Sequence, residues 1–175
     1  MTSRLNYEQS RQRLQELGYL DASEAPPMPE HLPGTDDADP WGISFFRTCV
    51  DDGDDFSDLT LPRTFFGRSE IINASFRNTD LSESNLCWND LVDVDFTDAV
   101  LARSDLRCSI FRRVKFNGCD LRGADMRAMF EACSFGGALL DGAIMGRWHR
   151  WKLHLTRAQR RVMTSRGVPG VPSGG

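Results

Sequence analysis

Three histidines and five cysteines are the side chains of this 175-residue chain best suited to hold a metal or attack a substrate. His31, His149 and His154 include no pair at the i,i+4 spacing that sets two imidazoles on one helical face, and no HExxH motif accompanies them. Cys49, Cys87, Cys108, Cys119 and Cys133 form no CxxC pair and no even disulfide framework. The chain has no P-loop, no GxGxxG and no GxSxG. The spacing thus predicts no catalytic residue, no metal and no cofactor, and a protein that is not an enzyme. What remains is recognition by charge and apolar surface. One band is acidic, with Asp80, Glu83, Asp90, Asp93, Asp95 and Asp98; the next is basic, with Arg103, Arg107, Arg112, Arg113 and Lys115 around Asp105. Trp88 lies within the acidic band, between Glu83 and Asp90. Asp90, Asp93, Asp95 and Asp98, with Trp88, Arg112 and Arg113 beside them, are the candidate partner-binding residues. The competing explanation of the two bands is neutralisation between neighbouring layers of the fold.

The element that positions these residues is a repeat. A large apolar residue returns every fifth position, from Phe66 through Ile71, Phe76, Leu81, Leu86, Leu91, Phe96, Leu101, Leu106, Phe111, Phe116 and Leu121 to Met126. The series then slips by one residue and continues as Phe130, Phe135, Leu140 and Met145. Two positions before each stands a small or slim side chain, such as Ala74, Thr79, Ser84, Ala99, Cys119 or Cys133. Neither a helix nor a strand has a period of five. Short repeats of this kind build a solenoid, in which each unit buries its apolar side only by stacking on its neighbours.

A slower period sets the stacking. Phenylalanine recurs at Phe76, Phe96, Phe116 and Phe135, and leucine at Leu81, Leu101, Leu121 and Leu140. Four fives make one turn, so the coil has four sides and like residues stack over like. With layers about 4.8 Å apart, the repeat makes a rod roughly 20 Å long. Trp88 falls on an outward position with Phe65, Ile72 and Val92 nearby in the pattern. These are covered by the N-terminal segment or anchor a partner, and coverage is the favoured expectation.

This stretch resembles the pentapeptide-repeat family, whose unit is a small residue, Asp or Asn, Leu or Phe, then two variable residues. Thr79-Asp80-Leu81-Ser82-Glu83, Ser104-Asp105-Leu106, Cys119-Asp120-Leu121-Arg122-Gly123 and Ala124-Asp125-Met126 carry the resemblance. Other units depart from it, with Val100, Ile110, Lys115, Met129 or Leu139 at the Asp/Asn position. The resemblance implies an all-β solenoid, a right-handed quadrilateral β-helix with short helical N- and C-terminal caps. A fold of this kind is a scaffold and does not by itself imply an activity.

The expected organisation is an N-terminal helix in 1–20, a Pro-rich acidic linker at 21–40, an N-terminal cap at 41–62, the β-helix at 63–145, a C-terminal cap and helix at 146–167, and a flexible tail at 168–175. Asn6 can cap the first helix and Gly18 end it. Trp41, Ile43, Phe45, Phe46 and Val50 are expected to cover the first turn of the coil, and Trp148, Trp151, Leu153 and Leu155 the last. Thr156 and Gln159 suit a capping box for the final helix. That helix either caps the coil or pairs two chains, so the protein is a monomer or a homodimer through it. The slip at Met126–Phe130 predicts a tightened corner or bulge.

Composition bounds the setting. No apolar run reaches the length of a membrane span, and the first twenty residues are polar and mixed in charge, so neither a membrane anchor nor a signal peptide is expected. The cytoplasm is the expected compartment. The net charge of −4 hides a gradient from an acidic N-terminal third to a basic end.

The chain also resembles a bacterial subgroup of the family that acts as immunity proteins to polymorphic and type VI secretion toxins. The residues concerned are Asn6-Tyr7-Glu8-Gln9 with Leu17-Gly18-Tyr19-Leu20, Leu59 to Ile71, and Ser75 to Leu91. The resemblance implies a non-enzymatic protein that occludes a cognate toxin or effector; if the toxin is a nuclease, the acidic band would enter its phosphate groove. It implies no direct contact with nucleic acid or membrane. The alternative is a DNA mimic that binds gyrase or another topoisomerase, as quinolone-protecting members of the family do. The basic turn at Arg103–Lys115 would repel a DNA-binding saddle and counts against it.

Overall fold

The structure, a computed structural model, describes residues 3–20, 45, 48–50, 53–146 and 153–162. The expected linker 21–40, tail 168–175, Trp41, Ile43, Phe46, His31, Trp148, His149 and Trp151 lie outside them.

The period of five becomes a four-sided β-solenoid. One side is a parallel sheet of β1 (Cys49–Val50), β2 (Glu70–Ile72), β3 (Asp90–Val92), β4 (Ile110–Arg112) and β6 (Met129–Glu131), in that order. The second side stacks Asp55, Ser75, Asp95, Lys115 and Ser134, and the third stacks Thr60, Asp80, Val100, Asp120 and Leu139. The fourth runs through Phe65, Asn85, Asp105 and Asp125, and ends in the pair β5 (Asp125–Met126) and β7 (Ile144–Met145). Five rungs on the second side give about five turns. Ladder pairing already includes Cys49, Asp55 and Thr60, within the 41–62 stretch set apart above as a cap.

Each corner is made by the residue two places after the large apolar one. Asn78, Glu83, Asp98 and Arg103 all have φ between 54° and 60°. The next amide closes the turn: Thr79 N donates to Phe76 O at 3.2 Å and Ala99 N to Phe96 O at 3.1 Å. A lone positive φ at the third position of such a turn is the type II pattern. It bends the chain between successive sides at every described corner but the slipped one, and aims the large residues inward.

The core is therefore a set of columns. Phe56, Phe76, Phe96, Phe116 and Phe135 stack ring on ring, with centroids 4.8 to 5.5 Å apart. The expected column thus extends one turn further toward the N-terminus. Offset stacking adds to the area each ring buries. Cys119 and Cys133 are buried small hydrophobes, and burial pushes both thiols up in pKa. Three slim polar residues form an internal ladder along one corner. Ser69 N donates to Asn89 Oδ1 at 2.8 Å, Asn89 N donates to Ser109 Oγ at 2.9 Å, and Asn89 Nδ2 donates to Phe66 O. Buried polar groups persist when satisfied in this way.

The slip is a shortened corner. Asp105 pairs with Asp125 at an offset of twenty, whereas Ile110 pairs with Met129 at nineteen. One residue is missing between β5 and β6, and the corner there has no positive-φ residue.

Both ends are covered. Helix α1 (Tyr7–Glu16) has the Asn6–Gln9 capping box and ends at Gly18, φ +80°, with Tyr19 N bonded to Leu14 O and Gly18 N to Gln15 O. It packs on the first turn: Leu14 is fully buried, Ser10 Oγ accepts from Thr60 N at 2.8 Å, and Tyr19 lies over Phe56 and Phe45. At the other end Leu153 and Leu155 are buried. Gln159 of α2 (Arg157–Val162) accepts from Thr156 N and donates Nε2 to Phe135 O and Ala138 O at 2.9 and 3.0 Å. One side chain thus starts the helix and satisfies the carbonyls of the coil beneath it.

Candidate binding surface

On every side the residues flanking the buried large one point outward. On the β1–β2–β3–β4–β6 side they form two columns: Glu70, Asp90, Ile110 and Met129 before the buried residue, and Ile72, Val92, Arg112 and Glu131 after it. Ile72, Val92, Ile110 and Met129 run diagonally across this side, and Met129 is 51% exposed. At the corner leading into it stands Trp88, 66% exposed, with φ +61°. The fold imposes this conformation at the corner, and a bulky side chain is a poor occupant of it. The strain, of order 1–3 kcal/mol for a non-glycine residue, is not offset here by burial.

α1 lies on the open end of the coil and leaves Trp88 exposed, so the expected coverage by the N-terminal segment does not reach it among the described residues. Phe65, by contrast, is buried, and Ile72 and Val92 are half-buried.

The charged bands sort into paired and unpaired groups. Arg113 makes two bonds to Asp93, and Arg103 two to Glu83, each across one turn. The Arg113 hydrogen bond holds Asp93 below its usual pKa. Asp95 is 19% exposed, accepts from Thr97 N at 2.9 Å and lies 3.3 Å from Arg77 and 3.5 Å from Lys115. Partial burial pushes its pKa up, and the Thr97 bonds and the two cations outweigh this and leave it lowered. Arg112 lies 3.5 Å from Glu131 and only 4.0 Å from Asp90. Asp98 has no ion pair among the described residues; its carboxylate lies against Gly118, where a Cβ would collide with it.

The seven candidates therefore do not form one patch. Trp88, Asp90 and Arg112 share the sheet side, Asp93 and Arg113 form its far corner, and Asp95 and Asp98 lie around the next side. Sequence reasoning did not single out Ile110, Met129, Glu70 or Glu131 as candidate binding residues. The signal was present for two of them: Ile110 and Met129 stand where the repeat normally carries Asp or Asn, and their apolar side chains meet in register. Among the described residues no three His, Cys, Asp or Glu could hold a metal, and no helix is long and apolar enough to cross a membrane.

Comparison with known proteins follows the coil. The family described as Pentapeptide repeats matches residues 55–86 and 90–127 in eight copies. No curated protein matches the chain. HetL, a pentapeptide repeat protein involved in heterocyst differentiation regulation from the cyanobacterium Nostoc sp. strain PCC 7120, shares 19% identity over 59% of this chain and 49% of its own, with a TM-score of 0.55. The match thus spans about half the length of HetL. QnrB1, a plasmid-mediated fluoroquinolone resistance protein, aligns at 14% identity over 60% of this chain and 61% of its own, TM-score 0.41. A pentapeptide repeat protein from the Arabidopsis thaliana thylakoid lumen aligns at 22% identity over 75% and 76%, TM-score 0.25. The HetL superposition carries the likeness of fold, and the other two are too loose to add to it. Over residues 55–86 and 90–127, the coil that these repeats build matches the pentapeptide repeat family.

Proposed function

We propose that the protein acts by binding rather than catalysis, as an immunity protein that occludes a cognate bacterial toxin, of the kind delivered by type VI secretion. The observation that supports binding most strongly is Trp88. A large aromatic residue kept 66% exposed at a positive-φ corner is left largely unpacked by the described residues. Aromatic residues in that situation are typical interface anchors. The rigid coil below it, hydrogen-bonded turn on turn, presents the surface with little ordering cost on association. The partner class rests on the resemblance of the N-terminal helix, the 59–71 stretch and the 75–91 repeats to immunity proteins. A gyrase-binding DNA mimic has less support, because a mimic needs unpaired carboxylates along the rod and Glu83, Asp93 and Asp95 are matched by cations of their own coil.

Co-expression with the toxin encoded beside this gene tests the proposal. Survival of cells that die with the toxin alone is the expected result; continued killing despite soluble protein would refute it.

A further inference from the structure

We infer that the Trp88 corner, with Asp90 and Glu70 on the adjoining side, receives an arginine side chain from an extended, apolar segment of the protein partner. This rests on the binding reading above for the existence of a partner, and on the surface alone for its chemistry.

Charge selects the guest. The described outward residues of the sheet side carry three carboxylates, Glu70, Asp90 and Glu131, against one guanidinium, Arg112, a net of −2. Arg112 leans toward Glu131, 3.5 Å away, and stands 4.0 Å from Asp90. Glu70 has no ion pair among the described residues. Glu70 is thus unpaired among the described residues and Asp90 only loosely held, and both stand in the column nearest Trp88, where Asp90 follows the indole by two residues. The rest of the acidic band is either held by Arg103, Arg113, Lys115 and Arg77 or faces another side.

Shape selects it further. An exposed indole face attracts a guanidinium through its quadrupole, and a carboxylate beside it supplies the hydrogen-bonding partner. The diagonal Ile72–Val92–Ile110–Met129 would take apolar side chains that alternate with the cation along an extended chain. Arg68 stands one turn before Trp88 in the same corner column and opposes a second cation there.

The test uses the whole ¹⁵N-labelled protein and a blocked heptapeptide alternating valine and arginine, set against the same peptide with glutamate for arginine. The expected result is a saturable shift of the Trp88 indole N–H with the arginine peptide and none with the glutamate peptide. Binding should weaken about fivefold in Trp88→Ala and about tenfold in Asp90→Lys, and strengthen in Arg68→Ala. Equal response to both peptides, or no effect of Asp90→Lys, would overturn the inference. So would a wild-type homodimer in sedimentation that Trp88→Ala dissolves, because a second copy would then be the occupant. No toxin is used, so failure here leaves the immunity reading standing, and failure of neutralisation leaves this result standing.

Discussion

Arg113 grips both carboxylate oxygens of Asp93 from one turn further along the coil, Nε to Oδ1 at 2.7 Å and Nη2 to Oδ2 at 2.6 Å. Two residues that belong to opposite charge bands in the sequence are thus one ion pair on the surface. Asp93→Asn is expected to leave partner binding unchanged and to shift the melting temperature little, with less effect still at high salt, since exposed pairs contribute weakly. A large loss of affinity in Asp93→Asn, read by titration calorimetry, would show that the pair opens on binding.

Asp105 is more enclosed, and its lowered pKa ties part of the stability to pH in the acid range. Burial pushes it up, but hydrogen bonds from the Arg107 side chain and amide outweigh burial and leave it lowered; Asp95 and Asp120 are lowered too. A depressed folded-state pKa contributes stability above the unfolded value, 3.8, that is lost as pH falls through the folded one. The melting temperature should hold from pH 7 to 5 and drop below about pH 4. Asp105→Asn should melt lower at pH 7 and show a shallower acid drop.

Asn89 tests the internal ladder. Asn89→Ala strips the acceptor from Ser69 N and the donor from Phe66 O, both inside the coil. Two buried groups left without partners should cost about 2 to 4 kcal/mol, measured by urea denaturation. Asn89→Asp should not recover the loss at pH 7, because it sets a buried carboxylate oxygen against the Phe66 carbonyl.

Gly118 and Gly123 separate backbone strain from steric contact. Both have positive φ, +67° and +70°, and alanine should cost about 1 kcal/mol at either on that ground. At Gly118 a Cβ would also strike the Asp98 carboxylate, whereas at Gly123 it would meet only Arg103 Cγ at 3.4 Å. Gly118→Ala should therefore be the more destabilised, and Asp98→Ala should bring it level with Gly123→Ala.

The coil was legible in the sequence because its period is unlike that of any other structure: each Leu or Phe in the series lands inside and each slim residue two places earlier lands beside it. The stacked phenylalanines, the Asn6 cap and the capping box at Thr156–Gln159 followed from spacing as well, whereas the part of Gln9 in the first cap emerged only in the structure. The surface was less legible. A run of acids followed by a run of bases looks like two bands, but the twenty-residue register places Arg113 over Asp93 and Arg103 over Glu83. Which carboxylate is left over depends on side-chain reach, which separates Asp93 at 2.6 Å from Asp90 at 4.0 Å. That the N-terminal helix is a stabilising flap was a reading of the sequence, but where it sits was not legible, because its contacts, Ser10 to Thr60 and Tyr19 to Phe56, join residues far apart in the chain.

The most direct test compares tagged wild-type protein with Trp88→Asn in pull-downs from the native host, alongside their melting temperatures. Asparagine tolerates the left-handed corner, so the variant should be at least as stable as the wild type. The expected result is a toxin retained stoichiometrically by the wild type, whose killing the wild type blocks, and strongly depleted from Trp88→Asn. Equal retention by the two proteins would contradict it.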